Sequence, residues 1–156
     1  MKKHYLLVVI LLLLITSCSE EKASLIVEAE GLENNITDIV YSHEDAVVFP
    51  AVVRSSGKKP VETEYKGIEL KILFDTLNID ISKYEKVAFN ASDGYRVILS
   101  VEEINEPSNV YVTFERDGEL LKSKSSGGNG PFQLVIRRDP FSQRWIKHVY
   151  KITLEE

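Results

Sequence analysis

Sulfur is almost absent from this chain. Cys18 is the only cysteine among 156 residues, so no intrachain disulfide can form, and the sequence after it offers no thiolate to a metal or a redox couple. Three histidines, His4, His43 and His148, stand apart without cysteines at ligand spacing, which excludes a zinc site by pattern. No Gly-x-Ser-x-Gly elbow is present, and the polar loop Arg54–Pro60 lacks the full phosphate-loop pattern, so neither a hydrolase of that class nor a nucleotide-triphosphate site is supported. The chain also has no apolar run long enough to span a bilayer. Tyr5 to Ile15 is unbroken, but a spanning helix needs about 20 such residues. Positive charge is in the minority: 19 basic residues face 24 acidic ones. A net charge of -5, or -7 without Lys2 and Lys3, argues against nucleic acid as a partner and against the domain as a whole docking on an anionic membrane.

The amino terminus is informative. Met1-Lys2-Lys3-His4 is a basic leader to the apolar run, the order found in secretory signal peptides. Ile15-Thr16-Ser17-Cys18 resembles the lipobox of bacterial lipoproteins, which implies cleavage before Cys18 and a diacylglycerol on its sulfur, with further acylation by chains such as palmitate. The expected organisation is a signal peptide over 1–17, a lipidated cysteine and linker over 18–24, and one domain over 25–156. Several acyl chains anchor a protein stably, at about 0.8 kcal/mol per buried CH₂. The domain is therefore expected in the bacterial cell envelope, held to a membrane and facing the periplasm or the cell surface. Ser19-Glu20-Glu21-Lys22 resembles the surface-export signals of some Gram-negative lipoproteins, and reads equally as a solvated linker.

Hydrophobic content of 44% in a chain of this length suits one packed domain. Leu25, Val27 and Ala29 alternate as a strand ended by Gly31, and Asn34-Asn35 reads as a turn. Ile36 to Ser42 holds at most a helical turn, capped by Asn35 or Thr37. Ala46 to Val53 is β-branched around Pro50, which predicts an edge strand or a bulge. Leu70, Leu73, Phe74 and Leu77 mark one face of a helix. Val87, Phe89 and Ala91, then Asp93-Gly94, then Tyr95, Val97 and Leu99 predict a hairpin, and Ser100 with Glu103 is a capping box opening a short helix. A second hairpin turns at Asp117-Gly118. Lys122 to Asn129 is Ser-, Gly- and Lys-rich and predicts a mobile loop, after which Phe132, Leu134 and Ile136, and a segment ending at Leu154, predict further strands. The sum is a β-rich α+β domain.

The order of pieces is itself distinctive: Tyr65-Lys66-Gly67-Ile68-Glu69-Leu70, Ala91-Ser92-Asp93-Gly94-Tyr95, Asp117-Gly118-Glu119-Leu120, Gly130-Pro131-Phe132-Gln133-Leu134-Val135-Ile136 and Arg144-Trp145-Ile146-Lys147-His148. From about Tyr65 to Leu154 the chain resembles the molybdopterin-binding domain of the sulfite oxidase family, and within it the small exported members that consist of that domain alone. The resemblance implies a β-rich mixed-sheet domain with a few short helices and a cleft that, in the oxidases, holds a pterin dithiolene and its metal. In those enzymes a cysteine shortly before the segment matching Tyr65-Lys66-Gly67 ligates molybdenum. Here that stretch reads Val52-Val53-Arg54-Ser55-Ser56, and a serine hydroxyl is a much poorer ligand than a thiolate. A histidine before the Gly-Pro segment and an arginine just after it are replaced by Asn129 and Gln133.

Arg137, Arg138, Arg144, Lys147 and Lys151 concentrate positive charge near the end of an acidic chain. With Arg54 they read either as the lining of an anion-binding cleft or as a solvated rim paired with carboxylates. Ser55 and Ser56 stand where the metal ligand is missing, Asp93 and Tyr95 are an acid and a donor at a turn, Asn129 replaces a phosphate-binding position, and Trp145 is either core or a stacking platform. No catalytic residue and no metal ligand is assigned. The reading that follows is a lipid-anchored binding or accessory domain without a redox metal, its partners being the membrane through the anchor and an anionic small ligand or an envelope protein. The alternative is a molybdopterin-dependent oxidoreductase using non-cysteine ligands and a membrane redox partner.

Overall fold

Residues 23–156 are described by a computed structural model. The expected signal peptide over 1–17, the expected lipidation site Cys18 and most of the expected linker lie outside the described residues. Two sheets carry the fold. The first has the order β2-β1-β10-β5-β6, formed by β2 (Leu32–Asn35), β1 (Ile26–Ala29), β10 (Val149–Glu155), β5 (Lys86–Ala91) and β6 (Arg96–Ser100). β1 runs parallel to β10 while the other pairs are antiparallel, so the sheet is mixed. The second joins β3 (Val47–Val53), β4 (Val61–Glu69) and β7 (Val110–Arg116), with β8 (Glu119–Leu120) and β9 (Gln133–Ile136) both pairing with β7. This is the expected β-rich α+β class.

Local chemistry accounts for the elements. Glu30 and Gly31 both take positive φ, the requirement of a tight hairpin turn, and so β1 turns into β2 four residues earlier than the Asn34-Asn35 reading has it. Those asparagines sit in the strand instead. Asn35 uses its Oδ1 to accept from the Thr37 N–H at 3.0 Å, opening α1 (Thr37–Ser42), and Thr37 Oγ1 accepts from the Leu25 N–H at 2.8 Å. Pro50 lies in β3 with no shift of register against β4. A proline has no N–H to give, so it is tolerated because β3 is an edge strand, and no bulge is needed.

Leu70, Leu73 and Phe74 of α2 (Leu70–Thr76) are fully buried, as the periodicity predicts. The helix stops where Asn78 takes φ 56°, with Ile79 N–H donating to Phe74 O and Asn78 N–H to Asp75 O, a Schellman ending. Gly67 is fixed by space: a Cβ there would lie 2.3 Å from Val112 O, at the point where the β4–β7 register shifts. Ser100 Oγ accepts from Glu103 N–H and Glu103 Oε2 from Ser100 N–H, so the capping box opens α3 (Val101–Asn105) as expected. Val97 and Leu99 point into the core, whereas Tyr95 precedes the strand and is exposed. The Lys122–Asn129 loop holds a short 3₁₀ turn over Lys124–Ser126 and closes through Gly130 N–H to Lys122 O at 2.8 Å. One hydrophobic core joins Val87, Phe89, Leu99 and Ile152 of the first sheet to Ile68, Phe114 and Leu134 of the second, with α2 in it.

A candidate anion cleft

Three guanidiniums from two distant stretches of the chain meet at one hollow. A cleft of about 410 Å³ is lined by Pro50, Ala51, Val52 and Arg54 from the end of β3, by Pro107 and Ser108 before β7, and by Arg137, Arg138 and Trp145. Backbone bonds clamp it: Arg54 N–H donates to Ser142 Oγ at 2.9 Å, and Ser142 N–H donates back to Arg54 O at 3.0 Å. Trp145 is buried, with its indole N–H given to Ile136 O at 2.8 Å and its ring edge-on to Tyr65. It belongs to the core and forms one wall of the cleft.

Asn109, which sequence reasoning passed over, sets the two neighbouring arginines. It is buried; its carbonyl accepts from Arg137 N–H at 2.9 Å, its Oδ1 from Arg138 N–H at 3.1 Å, and its Nδ2 donates to Glu103 O at 3.1 Å. The chain thus turns sharply after β9 and presents Arg137 and Arg138 together. Arg137 lies over the Phe49 ring and donates weakly to Ser108 O at 3.4 Å. Arg138 is held by Glu106 at 3.2 Å and by Pro107 O at 3.3 Å. The Arg54 side chain makes no ion pair among the described residues.

The other candidates lie elsewhere. Arg144 is bound by Asp139 and Glu103, and the hydrogen bonds it donates to Asp139 above all hold its pKa above an already high ordinary value, so this guanidinium is a strut and does not line the cleft. Lys151 is paired with Glu28 at 2.7 Å and Glu33 at 2.6 Å on the first sheet. Ser55 and Ser56 are exposed in a turn closed by Lys58 N–H to Ser55 O, next to the cleft but not on its lining. Asp93 accepts from Tyr95 N–H at 3.1 Å at an exposed hairpin tip. Asn129 lines a shallow depression with Arg116 and Lys122, and its carbonyl accepts from His148 N–H at 2.9 Å. The basic cluster therefore divides, with Arg137 and Arg138 joining Arg54 at the cleft, and Arg144 and Lys151 paired with carboxylates.

The donor set does not suit a metal dithiolene. No group of three or more His, Cys, Asp or Glu that could hold a metal occurs among the described residues. The two positions at which the oxidases place a histidine and an arginine hold neutral amides. Gln133 is buried and its Oε1 accepts no hydrogen bond among the described residues, and a carbonyl oxygen repels a phosphate where a guanidinium would grip it. The three cleft arginines suit a planar or tetrahedral oxyanion.

A second cavity of about 410 Å³, between the β1–β2 hairpin and the Leu77–Tyr84 segment, has Asn34, Asn78 and Asp80 on its rim but no comparable cluster of like charge.

No protein-family model and no curated protein sequence matches the chain. Among solved structures it is similar to the sulfane dehydrogenase SoxCD from Paracoccus pantotrophus, with a TM-score of 0.66 and 15% identity over 90% of this chain. The chain spans 40% of the length of that one. At that identity the likeness is one of fold, and the fold is the mixed-sheet, sulfite oxidase type of molybdopterin-binding domain that the order of motifs predicts.

Proposed function

We propose that this protein is a lipid-anchored, extracytoplasmic binding or accessory domain that uses the sulfite oxidase fold without a redox metal and takes a small oxyanion or carboxylate in the Arg54–Arg137–Arg138 cleft. The observation that carries this is the convergence of three arginines on one hollow in an acidic protein, while Arg144 and Lys151, outside that hollow, are already paired with carboxylates. Like charges gathered without full neutralisation are costly unless an anion completes them. The lipid anchor is supported by the lipobox resemblance at Cys18.

Titration calorimetry with inorganic phosphate and with sulfate tests the site. Arg54→Ala and Arg137→Ala should each weaken binding by about tenfold or more, the scale of one charge-assisted hydrogen bond, while Arg144→Ala lowers stability more than affinity. Unchanged binding in the first two dismisses the cleft. The other reading, an oxidoreductase holding molybdopterin through non-cysteine ligands, draws on the fold shared with a dehydrogenase. Protein purified from its native envelope should contain no stoichiometric molybdenum or tungsten; finding either overturns the proposal in favour of the enzyme.

A further inference from the structure

The described chain starts at one particular end of the first sheet. β1 runs parallel to β10, and β10 antiparallel to β5, so the start of β1, the start of β10 and the tip of the β5–β6 hairpin all fall at the same end. Ser24 lines a small depression there with Ser92, Lys124, Gly130, Pro131, His148 and Tyr150. Ser92 N–H donates to His148 O at 3.0 Å, and His148 Nδ1 bonds Gly130 O at 3.0 Å, so hairpin tip, loop and β10 form one surface. Tyr95 and Tyr150 flank it, 56% and 43% exposed. Of the charged residues at this end, Lys124 and Lys147 are exposed and in no ion pair among the described residues, Asp93 sits in the hairpin turn, and Arg96 is paired with Glu155. At the opposite end of the same sheet stand Glu30, Asp80, Glu85, Glu102 and Glu106, of which Glu30 is paired with Lys83 and Glu106 with Arg138.

We propose that this end is a membrane-docking face that lies on phospholipid headgroups, with Tyr95 and Tyr150 in the interfacial layer and Lys124 and Lys147 on lipid phosphates. The inference rests on the lipid anchor proposed at Cys18. Ser19 to Lys22 separate that residue from Ala23, and so short a stretch reaches at most about 18 Å. Whatever face surrounds Ser24 is therefore never far from the bilayer. Tyrosine is the residue type that partitions to the headgroup layer, and lysine is drawn to an anionic surface within a Debye length of about 8 Å. A consequence for the cleft follows. β9 carries Pro131 of the docking face before it and Arg137 of the cleft after it, and the extended chain between them runs about 20 Å. Docking thus holds the anion cleft clear of the lipid and open to soluble ligand.

The absence of other thiols supplies the test. In the full chain, lipidated at Cys18, Ser92→Cys or Asn105→Cys gives a single labelling site, since the anchored sulfur is a thioether. Each variant is labelled with a fluorophore and reconstituted in vesicles of phosphatidylethanolamine and phosphatidylglycerol bearing headgroup nitroxides. The label at position 92 should lose most of its fluorescence and the label at position 105, at the far end of α3, should keep it. Equal or reversed quenching in protein that floats with the vesicles overturns the docking face and leaves the anchor standing. Failure to float overturns the anchor, and the docking face with it. Lys124→Glu combined with Lys147→Glu should relieve quenching at position 92 while flotation persists; undiminished quenching would assign the orientation to the short linker alone and overturn the docking face.

Discussion

Asn109 bears on the cleft more than any single arginine, because two backbone N–H groups of the Arg137-Arg138 turn end on it. Asn109→Ala leaves the Arg138 N–H without its partner and should cost about 1–3 kcal/mol of stability. It should also weaken phosphate binding although residue 109 touches no ligand, which calorimetry on the variant checks. Asp117 is a pH-dependent counterpart. The Glu64 N–H and the Thr63 hydroxyl both donate to its carboxylate, at 2.9 Å and 2.7 Å, and together hold its pKa below the ordinary value. The folded state therefore prefers the charged form. The stability so gained is complete above the unfolded pKa of about 4, and is lost as the pH falls through the folded one. Asp117→Asn keeps an acceptor and the left-handed backbone at φ 52°, but does not titrate. It should unfold at lower denaturant than the parent at pH 7, and the gap should narrow as the pH falls below about 4. Neither role was legible in the sequence, where Asn109 is a polar residue after Pro107-Ser108 and Asp117 merely half of a turn, because both act through partners far along the chain.

Elements followed the sequence where their signals are local. The α3 capping box is complete within four residues, and the α2 face repeats over a single helix, so both formed as predicted. Ser100→Ala should destabilise by about 1 kcal/mol, measured by urea denaturation. Because Glu103 also holds Arg144 at 2.8 Å through its other carboxylate oxygen, that variant should leave the Arg144 pairing intact and phosphate affinity unchanged. The β1–β2 turn shows the limit of local reading. Asn34-Asn35 carries stronger turn chemistry than Glu30-Gly31, yet the strand continues through the asparagines because Val27 must pair with Asn34 to keep its own side chain in the core. Pro50 marked an edge without saying which sheet the edge closed. The Ser123–Gly130 bridge, which draws the ends of the Lys122–Asn129 loop together, likewise has no local signal in the residue pattern.

At the scale of the molecule, one core joins both sheets, and the sole tryptophan sits between the second sheet and the cleft. A shared core makes unfolding cooperative. Trp145 fluorescence and far-UV circular dichroism should therefore give coincident thermal transitions; separated midpoints would show the sheets unfolding independently. Composition by itself determined the class, a single acidic β-rich α+β domain, because hydrophobic alternation and the two Asp-Gly turns are properties of neighbouring residues. The order of motifs determined the fold type, and the missing thiol determined that no cysteine after Cys18 ligates a metal. Which of six basic residues face one hollow was decided only by tertiary structure. Arg54 lies more than eighty positions from Arg137, and a strand register and a buried asparagine bring them together, while carboxylates both near and far along the chain claim Arg144 and Lys151. Charge is written in the sequence, but whether a charge is neutralised depends on what folds against it.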